Sequence, residues 1–438
     1  MLVNIHKLSI LLFLMLLPGL SAKAQDWTLE QCLDTAFVHN KNLLIHQNQV
    51  QLAEMKNQEA KAQLIPKVML SGDYRYFTEI PYQYLPQEAF GGPEGVYRAI
   101  QFGVPHNIGA NLNFRMPIYD PQIAGGIKVS ETNQTLTSLQ ERKTKEQLVL
   151  EISTLYYNAQ ILKNKLEFIR QNRINGEKLE SNTRLLYEQK VAGRTDIDKV
   201  VLQNQQLQLL EAQAESQYKA ILQGLKFAMG LSLDHELEIP LQLVFTEEVL
   251  AEEVGTVDFK IQETREKLLD QELQTIRNSR LPAFSLYGSY GTTGFGYNGA
   301  PESFLDFYPV SFLGAQFTIP VFNGTITSKK IKQKELELTN SRIQKELVKD
   351  QNQMQIQTFG LQLEVSKIQI QTNQSQIQLA ESIYNRTLMQ QREGLASLTE
   401  VLLADNALRD SQQQYLNALV DYLKATLELK KSSGTILN

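Results

Sequence analysis

Two long stretches of the chain repeat their apolar positions at helical spacing. In the first, Leu148, Ile152, Leu155, Ala159, Leu162, Leu166 and Ile169 recur at steps of four and three. In the second, Ile356, Leu363, Ile370 and Ile377 recur every seven residues, with Leu361, Val365 and Ile368 beside them. That spacing predicts coiled-coil helices with narrow seams. A helix in a solid core carries a wider apolar face, so these are expected to meet water on two sides. Proline usage agrees. None lies between Pro121 and Pro240 and none follows Pro320, which leaves two proline-free runs of 118 residues. Proline inside a helix costs about 3 kcal/mol, so these are the places where long helices can form. From Gly324 to Arg392 a helix would extend roughly 100 Å at about 1.5 Å per residue.

Each run breaks once, at "KVAGRTDID" (190–198) and at "REGLASLTE" (392–400). A glycine, then a hydroxyl residue, then an acid three positions on predicts a helix end, a turn and a new N-cap. Thr195 with Asp198, and Ser397 with Glu400, are the expected capping pairs, at a common offset of 202 residues.

Between the helices, four segments alternate apolar and polar residues. They cover residues 67–77, 107–117, 284–290 and 313–319. In the first, Val68, Leu70, Gly72, Tyr74 and Tyr76 oppose Met69, Ser71, Asp73 and Arg75. Strands of about ten residues with one apolar and one polar face suit a membrane barrel, and also an ordinary sheet with one wet face. Long aromatic, Gly/Pro-rich segments join each strand pair, while the opposite strand ends run into helices. Outer-membrane barrels have this asymmetry of long external loops and short periplasmic ends.

The phrase "FRMPIYD" at 114–120 returns as "FTIPVFN" at 317–323. Pro117 and Pro320 are expected to end a strand ladder, because proline cannot donate to it. Pro121 is expected to open the first long helix, where a missing N–H is no loss. The chain therefore reads as two tandem repeats, residues 25–240 and 258–438, joined by a linker at 241–257. Each holds helix, strand, loop, strand, long helix, turn and returning helix. A four-stranded sheet has two open edges, and edges cannot face lipid. A membrane barrel needs at least about eight strands, so a barrel would be shared between chains.

Lys7, an apolar run at 8–20 and "SAKAQ" predict a secretory signal over residues 1–24, cut after Ala24. Removing Lys7 and Lys23 leaves 41 basic against 48 acidic residues, a net charge of −7. That balance opposes a nucleic-acid partner. Cys32 is the one cysteine, so no internal disulfide forms. The preceding "LEQ" lacks the small residue of a lipidation site, so an unmodified, half-buried helix residue is expected.

No HExxH, GxSxG or metal-spaced Cys/His group is present, and His6, His39, His46, His106 and His235 are scattered. "GFGYNG" spells G-x-G-x-x-G with Gly294, Gly296 and Gly299, but Pro301 follows where a phosphate-holding helix would have to open. It reads as an external loop. No catalytic, cofactor-binding or metal residues are expected, and the chain is not expected to be an enzyme.

Three segments, "WTLEQCLDTAFVHNKNLLIHQNQVQLAEMKNQEAKAQLIPKVMLSGDY", "LGAQFTIPVFNG" and "GLASLTEVLLADNALRDSQQQYLNALVDY", resemble the TolC family of bacterial outer-membrane efflux proteins. With the repeat order, the likeness covers nearly all of the chain beyond the signal. It implies a mixed α/β membrane protein that forms a homotrimer. Four strands per chain would make a twelve-stranded outer-membrane β-barrel, continuous with a long α-helical barrel in the periplasm. The implied function is a passive exit duct of a tripartite efflux or type I secretion system. Its implied partners are a periplasmic adaptor (membrane fusion) protein, an inner-membrane transporter and outer-membrane lipid, with no cofactor. Gly193, Arg194, Thr195, Gly394, Leu395 and Ser397 match the family's adaptor-facing hairpin tips. Asp198 and Glu400 match acidic positions near its closed periplasmic aperture. Members often carry a basic residue two after the second-tip glycine, and this chain departs with Ala396. Some members carry an N-terminal lipid, which this chain's cysteine context does not predict. The rival reading is a soluble periplasmic coiled-coil scaffold without channel activity, which would not require detergent.

Overall fold

The computed structural model describes residues 26–241, 255–296 and 307–437. The expected signal, most of the 241–257 linker, and Gly299 and Pro301 of the glycine-rich segment lie outside these residues. In chain order the elements are α1 (Leu29–His39), α2 (Lys41–Ala62), β1 (Lys67–Tyr76), β2 (Tyr82–Pro86), a 3₁₀ turn (Gln87–Phe90), β3 (Tyr97–Gln101) and β4 (His106–Tyr119). Then follow α3 (Pro121–Glu188), α4 (Arg194–Met229), α5 (Val257–Asn278), β5 (Ala283–Gly296), β6 (Phe307–Thr318), α6 (Ile326–Arg392) and α7 (Leu398–Ser433). The two proline-free runs are the hairpins α3–α4 and α6–α7, whose first helices are 68 and 67 residues long.

The chain forms two compact units. One comprises Gln49–Ser138 and Ile261–Lys345, the other Met1–Asn48, Leu139–Lys260 and Glu346–Asn438.

The first unit holds a four-stranded antiparallel sheet in the order β1-β4-β5-β6. Its register keeps the predicted faces in phase. Val68 lies opposite Phe114 and Leu70 opposite Leu112, while Ser71 faces Asn111. Leu112 faces Tyr290, and Phe284 faces Phe317. One face is therefore an apolar carpet across all four strands. Leu70 and Leu313 on it are 75 % and 78 % exposed within the single chain. Among the described residues β1 and β6 each have one partner, so each presents an unpaired edge. The segment between β1 and β4, expected to be loop, contains the β2–β3 hairpin, with Tyr82 opposite Gln101 and Tyr84 opposite Ala99. Beyond the sheet, ion pairs tie neighbouring helices together. Lys61 meets Glu131 at 2.9 Å, Arg277 meets Glu335 at 2.7 Å, and Arg342 meets Glu266 at 3.0 Å. Such exposed pairs are worth about 0–1 kcal/mol each and contribute mainly to alignment.

The second unit is helical. Its first cluster joins α1, α3 and α4 through Ile152, Leu225 and Met229, all 0 % exposed. Cys32 belongs to this cluster and is fully buried rather than half-buried, because α1 lays its inner face on α3 and α4. Burial pushes the Cys32 thiol up to about 12. A second cluster joins α3, α4, α6 and α7 through Leu179, Val200, Tyr384 and Val401. The predicted first seam holds: Leu148, Ile152, Ala159, Leu166 and Ile169 are buried. On α6, Ile356, Leu363, Ile370 and Ile377 are half-buried, while Leu361, Val365 and Ile368 are 54–65 % exposed.

Candidate functional site: the helix turns and the strand exits

At the first strand exit, Pro117 still lies in β4, opposite Ser285. The ladder shifts register between Pro117 and Tyr119 and then stops. Pro117 therefore marks a bulge rather than the strand's end. β4 has lost its β1 partner beyond Arg115, so a residue without an N–H is tolerated there. Asp120 then caps the helix: its Oδ1 accepts from the N–H groups of Gln122 at 2.9 Å and Ile123 at 3.4 Å. Pro121 is the first residue of α3, as expected. At the second exit β6 ends at Thr318, two residues before Pro320. Gly324 (φ 64°) and Thr325 (φ 69°) then make a left-handed pair before α6.

The two hairpin turns share one geometry. Lys190 and Gly394 are left-handed, at φ 61° and 75°. The N–H of Val191 donates to Leu186 O, and that of Leu395 to Gln390 O, both at 2.8 Å. Each bond satisfies a carbonyl that the helix end would leave unpaired. The returning helices start from Gly193 and Ser397 as N-caps. Equivalent positions thus lie 204 residues apart in numbering, not 202.

That register corrects one expectation. Ser397 and Glu400 do form a capping box: Ser397 Oγ accepts from the Glu400 N–H at 3.3 Å, and the Ser397 N–H donates to Glu400 Oε2 at 2.6 Å. Thr195 and Asp198 do not. Gly193 caps α4, and its N–H donates to Asp196 Oδ2 at 3.1 Å. Thr195 lies inside the first turn of α4. Asp198 instead pairs with Arg194 at 3.4 Å on the exposed face, one turn apart. The helix begins two residues early because Asp196 supplies, at N3, the carboxylate that accepts from the N-cap N–H. Leu395 and Val191 stand out at the turns, 75 % and 66 % exposed.

Above the turns lies a polar cluster that no motif announced. Asp405 of α7 is only 5 % exposed. Its Oδ2 meets Arg409 Nη2 at 2.8 Å, and the Gln203 amide of α4 donates to the same oxygen. Burial pushes the Asp405 carboxyl above the usual aspartate range, while Arg409 and Gln203 pull it back. Tyr384 of α6 packs in the same cluster, and burial pushes its phenol up to about 12. Nearby, Asn172 of α3 donates to Gln412 of α7 at 2.8 Å. Among the described residues no group of three or more His, Cys, Asp or Glu could hold a metal ion. The arrangement has helix turns, a wet sheet face and a cross-helix polar layer.

Residues 258–435 match the sequence model of the family described as "Outer membrane efflux protein". The chain is 20 % identical over 338 residues to the outer membrane protein TolC of Vibrio cholerae, covering 75 % of this chain and 77 % of that one. Both likenesses are to outer-membrane efflux proteins, the family that the sequence resembles. Solved structures share its fold. VceC of Vibrio cholerae superposes with a TM-score of 0.76 at 14 % identity, covering 94 % of this chain and 97 % of that one. CmeC, an outer membrane channel of Campylobacter jejuni, gives 0.77 at 14 % identity, covering 93 % and 85 %. MtrE, an outer membrane channel of Neisseria gonorrhoeae, gives 0.75 at 12 % identity, covering 93 % and 89 %. The proteins it matches are outer-membrane efflux channels, not enzymes. These likenesses favour the efflux reading over the soluble scaffold.

Proposed function

We propose that three copies of the chain close into a twelve-stranded barrel over a helical barrel in the periplasm. The assembly is the passive exit duct of a tripartite efflux or type I secretion system. A periplasmic adaptor and an inner-membrane transporter deliver the cargo. The observation that carries this reading is the sheet's two unpaired edges, β1 and β6, flanking an apolar face. Lipid cannot satisfy the edge groups, so another chain must. The second apolar stripe on α6, with Met354, Leu361, Val365 and Ile368 exposed in one chain, supports a helical partner of the same kind.

In this reading Gly193, Arg194, Thr195, Gly394, Leu395 and Ser397 lie at the turns that meet the adaptor. Asp198 and Glu400 ring the periplasmic aperture. Glu400 also caps α7, and Asp198 is held by Arg194, a basic partner on its own helix that stands in for the one missing at Ala396. The tandem division into residues 25–240 and 258–438, after a signal at 1–24, belongs to the same proposal. The shared turn geometry supports it. Light scattering on the detergent-solubilised protein tests the assembly. A protein mass of three chains is expected, and a monomer that stays soluble without detergent would overturn it.

A further inference from the structure

We propose that the helix end of the sheet's polar face is a binding site for small aromatic anions, such as organic sulfonates and carboxylates. The inference rests on the duct reading in placing that face along the conduit.

The register sets Lys67 of β1 directly opposite Arg115 of β4. Like charges in that position repel, so the pair does not serve the sheet's own stability. Elsewhere the polar face satisfies itself. Arg75 holds Asp73 at 2.8 Å, and Asn113 donates to Ser71 Oγ at 2.9 Å. Among the described residues neither Lys67 nor Arg115 has an acidic partner. The nearest acid along the chain, Asp120, is turned to the first N–H groups of α3.

A cavity of about 470 Å³ opens over this pair, lined by Lys67, Arg115, Met69, Asn113, Tyr119 and also Asp120, whose Oδ1 is held by the first N–H groups of α3. Its size suits a molecule of one or two rings. Arg115 offers a planar fork for a carboxylate or sulfonate, and Lys67 adds a point charge. Met69 and Tyr119 supply an apolar, polarizable wall for a ring. Closed into the trimer, the face would carry these cations at one level around the conduit and raise the local concentration of anions.

The test uses the full-length protein in nonionic detergent, titrated by calorimetry with naphthalene-2-sulfonate and with 2-naphthylmethylammonium as its charge-reversed control. The wild type is expected to bind the sulfonate at least about tenfold more tightly. Lys67→Gln with Arg115→Gln should lose that preference, and Lys67→Glu with Arg115→Glu should invert it. Arg115→Gln alone, at an exposed side chain, keeps the test available if a double variant does not fold. Equal binding of both probes by the wild type, or unchanged sulfonate affinity in the glutamine variants, would overturn the proposal. Particle mass, read from the same samples, judges the duct reading separately. A membrane oligomer without anion preference sinks only this inference.

Discussion

Asp405 and Arg409 form a 2.8 Å ion pair one turn apart on α7, at a carboxylate that Gln203 of α4 also engages. Asp405 is buried, and Arg409 half-buried, where α3, α4, α6 and α7 meet. A buried carboxylate is costly unless paired, and here its partners come from α4 and α7, helices of two different hairpins. The cluster therefore fixes the register of α4 against α7.

The folded-state Asp405 is held above the ordinary aspartate range, chiefly by burial. A raised pKa means that the folded protein holds its proton more tightly than the unfolded chain. This contribution to stability is fully present below the unfolded value, about 3.9, and is lost as pH rises through the folded one. Arg409 on the same helix, and Tyr384 and Arg392 on α6, are the other titratable groups facing the cluster. Asp405→Asn should flatten this part of the stability–pH profile, measured by thermal unfolding in detergent between pH 4 and pH 8. A profile with unchanged slope would show that Asp405 does not titrate there.

The two turns carry different residues in one backbone conformation, so they should respond in opposite ways. A left-handed conformation costs a residue with a side chain roughly 1–2 kcal/mol, which glycine avoids. Lys190→Gly should steady the first turn, and Gly394→Ala should loosen the second by about 1 kcal/mol. Hydrogen exchange reads this locally. Protection of the Val191 amide should rise in the first variant, and protection of the Leu395 amide should fall in the second.

Gly230 caps α4 at φ 74°, and a Cβ there would lie 2.2 Å from the backbone oxygen of His39. Backbone cannot move aside as a flexible side chain can. Gly230→Ala is expected to cost about 3 kcal/mol or more, combining left-handed strain with overpacking. Gly126→Ala meets nothing within 4 Å on α3 and should instead stabilise by roughly 0.5–1 kcal/mol. Thermal unfolding of the two variants side by side should separate them in sign.

The hydrophobic period exposed most of this architecture. Four strands and both long hairpins follow from spacing and proline placement, because those signals are local and repeat many times. The N-cap of α4 did not follow. "GRTDID" offers two hydroxyl-or-glycine starts with an acid three residues on, Gly193 with Asp196 and Thr195 with Asp198. Only the turn geometry chooses between them. The β2–β3 hairpin was hidden because its strands are five residues each, beside Pro86, Gly91 and Gly92. Asp405 with Gln203 was invisible for a different reason. The pairing spans 202 positions, and a lone aspartate on a polar-rich helix looks solvated until the helices are packed.

Cys32 is fully buried, and burial pushes its thiol up to about 12, so it should stay unmodified by thiol reagents in the native protein and react once unfolded. Its silence makes the closing measurement clean. Single cysteines placed along the β1 edge and along the β6 edge, combined in pairs and treated with a short thiol cross-linker, report whether those edges meet in neighbouring chains. The account predicts a denaturing-gel ladder of one, two and three chains that stops at three. Chains that remain single, or a ladder that continues past three, would contradict the closed barrel.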